Sequence, residues 1–162
     1  MKNLGILLIA TFLLSFTFKP LDPLYKGSFK VGNPYSIAGR DYIPEIDNSY
    51  SEIGVASWYG DKFHNKKTAN GETFNKNELT AAHKTLPLPS IVKVTNLDNG
   101  ESLVVKVNDR GPFIGDRIID LSEYAALQLG FMHRGTTEVV VEFLPEETNQ
   151  LHIELFGQTY LD

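Results

Sequence analysis

Between residues 53 and 145 the chain alternates apolar and polar positions in short bursts. The runs are Gly54-Val55-Ala56-Ser57-Trp58-Tyr59, Ile91-Val92-Lys93-Val94-Thr95-Asn96-Leu97, Ser102 to Val107, Arg117-Ile118-Ile119-Asp120 and Glu138-Val139-Val140-Val141-Glu142-Phe143. Period-two alternation bounded by turn residues predicts strands with one buried face. Asp98-Asn99-Gly100 lies between the second and third runs, and an Asn-Gly pair in that position predicts a hairpin. One helix interrupts the strands: Asp120 is read as its cap, Glu123 as the capping-box partner, Tyr124 to Leu129 as its body and Gly130 as its end. Many short strands with little helix predict a mainly β chain folded as a small barrel. The apolar positions from Leu151 to Phe156 fit either a tail or an added edge strand within residues 146–162.

Upstream, residues 20–52 are rich in Pro, Gly, Tyr and Asp and carry no sustained period. They read as an arm that either wraps the domain or links it to something else. Before it, Lys2 precedes an apolar run from Leu4 to Phe18 that stops at Lys19-Pro20. Roughly 18 or more apolar residues are wanted for a membrane span, against about 7–15 for the core of an export signal. Residues 1–19 are therefore read as a signal peptide, with an uncleaved anchor or a buried helix as the alternatives.

Composition narrows the function classes. The net charge is -5, so there is no diffuse basic field to hold a phosphate backbone, and nucleic acid is not expected as a partner. The chain has no cysteine, which removes disulfides, thiolate metal sites and thiol nucleophiles and leaves packing to hold the fold.

The candidate chemistry begins where a strand run ends, at Asn108-Asp109-Arg110-Gly111-Pro112-Phe113. An acid and a base delivered to the rim of a sheet sit where sites are commonly built. Asp109 alone also fits a turn residue or a partner of Arg110. A second cluster, Lys66 to Phe74, holds the turn Asn70-Gly71 and then Glu72, which alone fits a solvated charge. Thr80-Ala81-Ala82-His83 sets an imidazole behind three small residues, fitting either a site or a core histidine satisfied by the backbone. His64 fits an exposed loop. No His-x-x-x-His spacing or Gly-x-Ser-x-Gly motif occurs, so neither a metal, another cofactor nor a serine nucleophile is expected. Trp58, Tyr59, Phe63 and Phe113 bring flat aromatic faces close to acids in sequence, an arrangement suited to sugar rings; Trp58 also fits core packing.

Taken together, Gly54 to Gly60, Phe63-His64, Lys67 to Glu72, Ala81-Ala82-His83-Lys84-Thr85-Leu86-Pro87, Val94-Thr95-Asn96, and Asn108 to Phe113 through Asp120-Leu121-Ser122 resemble the rare lipoprotein A family, RlpA. The resemblance spans roughly Gly54 to Phe143. It implies a six-stranded double-psi β-barrel with one or two short helices. The implied activity is endolytic peptidoglycan lytic transglycosylation in the periplasm of a Gram-negative bacterium, with a preference for peptide-poor glycan strands. It further implies that Asp109 is the catalytic acid and base, supported by Glu72 and His83. Trp58, Tyr59, Asn70, Asn108, Arg110 and Phe113 are then expected to contact glycan.

The residues depart from that family in two ways. Without cysteine there is no lipidated N-terminal Cys, and the length leaves no room for the SPOR domain many members carry. A monomer is expected, with cell-division or wall-amidase partners left open. Lytic cleavage needs Asp109 to start protonated, so its pKa must be raised and Arg110 must be turned away from it. Two alternatives remain: an inverting hydrolase in which Glu72 activates water opposite Asp109, and a non-enzymatic, expansin-like wall-binding module.

Overall fold

The computed structural model describes residues 24–161, so the expected signal peptide lies outside the described residues. Eight strands and two helices run in the order β1 (Tyr35–Ile37), β2 (Arg40–Tyr42), β3 (Ser51–Tyr59), β4 (Thr80–His83), β5 (Ser90–Asn96), β6 (Ser102–Asp109), β7 (Ile119–Ser122), α1 (Glu123–Gln128), β8 (Thr136–Phe143) and α2 (Pro145–Phe156). Strands β3 to β8 close a barrel in the order β3-β7-β4-β6-β5-β8. The pairs β3·β7 and β4·β6 are parallel, and the rest are antiparallel. Two parallel pairs joined through antiparallel β4·β7 make this a double-psi β-barrel.

The alternation seen in the sequence fills the interior. Val92 and Val94 of β5, Val105 and Val107 of β6, Ile119 and Leu121 of β7, and Val139 and Val141 of β8 point into one buried core with Ala56 and Ala81. The Asp98-Asn99-Gly100 turn joins β5 to β6 in the expected hairpin, pairing Thr95 with Ser102.

Three expectations change. First, Thr80–His83 is a strand, β4, inserted between β6 and β7. It is short and buried at every position, so it carries no alternation. Second, the first helix is capped by Ser122, whose Oγ accepts from Ala125 N at 3.1 Å, because Asp120 is still within β7. Third, Leu151–Phe156 is neither tail nor edge strand but the end of α2. Pro145 opens that helix, Glu146 and Glu147 favour its N-terminus, and Gly157 ends it in the left-handed conformation at φ +74°. The buried residues of α2 are the polar pair Thr148 and His152, one turn apart. Thr148 Oγ1 accepts from Ile91 N at 2.9 Å, and His152 Nε2 lies 2.8 Å from the Pro89 carbonyl oxygen.

The arm wraps the barrel. Its β1–β2 hairpin turns through Ala38 and Gly39, both at positive φ. Lys30 exchanges two backbone hydrogen bonds with Leu88, at 2.8 and 2.9 Å, and Tyr35 Oη donates to the Lys84 carbonyl at 2.7 Å.

Candidate active site

The site is organised by β4 and by an irregularity in its neighbour. Ala81 pairs with Val107, yet Ala82 pairs with Asp109, so Asn108 is an extra residue and β6 bulges there. A bulge of one residue reverses the facing of the positions after it. Val107 points into the core, and Asp109 is aimed outward beside Ala82 at a cleft of about 430 Å³. On the other side of β4, Ala82 pairs with Asp120 of β7. Both aspartates line the cleft with Trp58, Tyr59, Phe63 and Phe113.

Asp109 Oδ1 accepts from the backbone N–H groups of Ala69 and Arg110, each at 2.8 Å. Burial raises its pKa, outweighing the opposing pull of those N–H groups and of the Arg110 and Lys30 charges. The Arg110 guanidinium is turned away, as lytic chemistry requires. It donates to the carbonyls of Leu86 and Val31, each at 2.6 Å, and of His83 at 3.3 Å, tying the barrel to the arm.

Glu72 is not in the cleft. Its Oε1 accepts from Tyr25 Oη at 2.7 Å and Asn70 Nδ2 at 2.9 Å, and its Oε2 from Lys106 Nζ at 2.6 Å and Asn108 Nδ2 at 2.9 Å. Burial alone would raise its pKa, but Lys106 and the amide donors reverse the sign and hold it below the usual carboxylate range. An anion saturated by donors does not activate water, which removes the Asp109–Glu72 hydrolase. Glu72 instead fastens the loop that carries Ala69 to β6, one step behind Asp109. Gly71 in that loop adopts φ +95°, where a side chain would press to 3.2 Å from the Lys26 carbonyl of the arm.

Asn70 and Asn108, each 1% exposed, belong to the same buried cluster and do not reach the cleft, contrary to their expected contact with glycan. His83, 3% exposed, also lies off the cleft, because alternation along β4 turns Ala82 outward and His83 inward. Its Nδ1 accepts from Thr85 N at 3.2 Å and Leu86 N at 3.1 Å, which leaves the proton on Nε2. Nε2 then donates to Tyr50 Oη at 2.8 Å, and the Tyr50 hydroxyl donates in turn to Glu52 Oε2 at 2.7 Å. The histidine side chain is buried, and its carbonyl is one of those held by Arg110.

Burial, with Arg110 and Lys84 nearby, lowers the His83 pKa from 6.5 to about 3. The unfolded chain thus takes up this proton first on acidification. The contribution of His83 is intact above pH 6.5 and is lost as pH falls toward about 3, by up to about 1.4 kcal/mol per pH unit. Urea unfolding at pH 7, 5.5 and 4.5 is expected to show this slope, and His83→Gln to flatten it by about one proton.

Trp58 packs against the core, lines the cleft and donates from Nε1 to the Met132 carbonyl at 3.1 Å. Tyr59 stands edge-on to Phe63 with centroids 5.7 Å apart. His64 stays in its loop, where Nδ1 accepts from Lys76 N at 3.3 Å. The cleft residue that sequence reasoning passed over is Asp120. Its signal was the continued alternation Ile119-Asp120-Leu121, which puts the apolar pair in the core and the acid outside.

A double-psi β-barrel whose parallel strands present two acids to an aromatic-walled cleft defines the class of protein. The family model described as lytic transglycolase matches residues 51–141, and the chain belongs to that family, of which RlpA proteins are the curated relatives. It is 55% identical over 134 residues to the endolytic peptidoglycan transglycosylase RlpA of Rickettsia felis, covering 81% of this chain and 59% of that protein. It is 58% identical over 119 residues to the protein of the same name from Pseudomonas aeruginosa, covering 73% and 35% respectively. For the Neisseria meningitidis protein the figures are 53% over 109 residues, covering 67% and 46%. The chain thus spans less than two thirds of the length of each of these relatives. No helix among the described residues is long and apolar enough to cross a membrane.

Proposed function

We propose that this protein is an exported, cofactor-independent lytic transglycosylase that cuts within peptidoglycan glycan strands at the MurNAc–GlcNAc β-1,4 bond. The observation that carries the reading is Asp109: a largely buried carboxyl on the cleft wall, hydrogen-bonded through Oδ1 to two backbone N–H groups and, among the described residues, in no side-chain ion pair. Burial raises the pKa of this group, which favours the protonated form the reaction starts from. Asp109 protonates the glycosidic oxygen as the C1–O bond breaks, and the bonding electron pair leaves with the GlcNAc oxygen. The MurNAc C6 hydroxyl then attacks C1, and its proton passes to the Asp109 carboxylate, which is restored to its starting form. No water is consumed, and the product ends in 1,6-anhydroMurNAc.

Trp58, Tyr59, Phe63 and Phe113 provide flat faces for the sugar C–H bonds. The names of the relatives support the substrate class. The protein is read as a periplasmic monomer that favours peptide-poor strands.

Mass spectrometry of products released from purified sacculi, with and without prior amidase treatment, tests the reading. Anhydro-ended glycans, increased by amidase, are expected. Reducing-end products mean hydrolysis, and retained sacculus binding without product means a binding module.

A further inference from the structure

We infer that Asp120 is a second catalytic carboxylate of the cleft, whose negative charge stabilises the cationic anomeric centre that forms when Asp109 protonates the glycosidic oxygen. The inference rests on the lytic reading above and adds a residue to it.

The register supplies the geometry. Asp109 and Asp120 are the two cross-strand partners of Ala82, one on each side of β4. Neighbours in register share a face, and strands lie about 4.8 Å apart, so the two Cα atoms stand about 10 Å apart with an alanine methyl between them. A small floor between two acids leaves room for a sugar ring to settle with one acid at its leaving oxygen and the other near C1.

The environments of the two acids then divide the roles. Asp109 Oδ1 accepts from two backbone N–H groups, and among the described residues the carboxyl has no ion pair, whereas Asp120 Oδ2 is ion-paired with Arg117 Nη2 at 3.2 Å. Burial raises the pKa of both, but on Asp120 Arg117 is the first opposing influence, followed by Lys84. The contact geometry is what separates them: Asp120, with a guanidinium on one oxygen, is assigned the charge, and Asp109, with no side-chain cation in contact among the described residues, the proton.

A further observation concerns Asp120 Oδ1. That atom is buried and has no hydrogen-bond partner among the described residues. A carboxylate oxygen left without a donor is costly and calls for an explanation. Asp120 lines the cleft, and no donor among the described residues neutralises Oδ1, so its charge acts on the cleft through space rather than by contact of that atom. Fixed charge aimed at a site of charge development contributes about 10²–10³-fold in rate.

The test uses the whole chain and two readouts. Asp120→Asn keeps the shape and an acceptor for Arg117. It is expected to lower kcat for anhydro-product release by about 10²–10³-fold with KM within about threefold. The second readout is binding to two glycan analogues that carry at the cleaved position either a piperidine with a protonated ring nitrogen or a neutral ring of the same shape. In Asp109→Asn, where the other carboxylate is gone, the cationic analogue is expected to bind at least about 10-fold tighter, and Asp120→Asn is expected to abolish that preference.

If Asp120→Asn turns over within threefold of wild type, or raises only KM, Asp120 has no catalytic role and the Asp109 reading stands. Absence of a cationic preference in Asp109→Asn overturns the proposal whether or not Asp120→Asn folds. Reducing-end products from the wild type overturn the lytic reading, and this role with it. Failure of the wild type to release any product likewise overturns the lytic reading and the catalytic role with it, whereas anhydro-product release unchanged in Asp120→Asn overturns the role alone.

Discussion

Asp109→Asn is expected to lower the release of anhydro-ended glycan by about 10²–10⁴-fold, the range lost when a general acid is removed. Its melting temperature should stay close to that of the wild type. An asparagine retains the carbonyl oxygen that accepts from Ala69 and Arg110, so the loop and the bulge keep their anchor. What disappears is the transferable proton. The same assignment fixes the shape of the pH profile. Because the protonated carboxyl is the active form, kcat/KM falls as pH rises through the Asp109 pKa. That midpoint lies above the ordinary value of 3.8, for the reason that burial penalises the anion. A rate that is unchanged in the variant would assign the proton transfer to another group.

Glu72→Ala is expected to cost about 3 kcal/mol of stability, read from urea unfolding at pH 7. The loss comes from what stays behind: a Lys106 amine with most of its surface covered and no counter-ion, together with the unpaired donors of Tyr25, Asn70 and Asn108. The exposure that Lys106 keeps places the cost at the lower end of the range for a broken buried pair. Adding Lys106→Met should recover much of it, because the orphaned charge is then removed as well. Activity should fall in the single variant even where it is folded, since the Ala69 N–H that holds Asp109 belongs to the loop Glu72 secures. A single variant as stable as the wild type would mean that the cluster is not a structural anchor.

The barrel was legible because most of its strands are amphipathic: β5, β6 and β8 show a two-residue period that matches one buried face each. β4 was not, because a strand covered on both faces has no polar side to reveal it. The same property explains why the roles of its neighbours were hard to read. Whether Asp109 faces the cleft depends on the extra residue Asn108, and a bulge is invisible without the partner strand that defines it. Asp120 was hidden by a local signal of another kind. Acid-x-x-Glu before an apolar run fits a capping box, but Ser122, two residues on, performs the capping and leaves the acid for the cleft. Glu72 and His83 are candidates in the sequence that the structure places off the cleft. Their depth was not legible, since a buried carboxylate or imidazole in sequence looks the same as one facing substrate.

The arm changes where the working unit ends. The matched family region begins at residue 51, yet one oxygen of Glu72 is held by Tyr25, and one carbonyl on Arg110 comes from Val31. The strand that enters β5 is paired through Lys30, and on the far side Thr148 and His152 of α2 satisfy the backbone at Ile91 and Pro89. A fragment cut at residues 51 and 141 would retain every cleft-lining side chain and lose these braces. The family region and the braced barrel are therefore different lengths of chain, and the arm also backs the cleft wall itself, where the rings of Tyr35 and Tyr42 stand against Phe113 with centroids 6.0 and 5.7 Å apart.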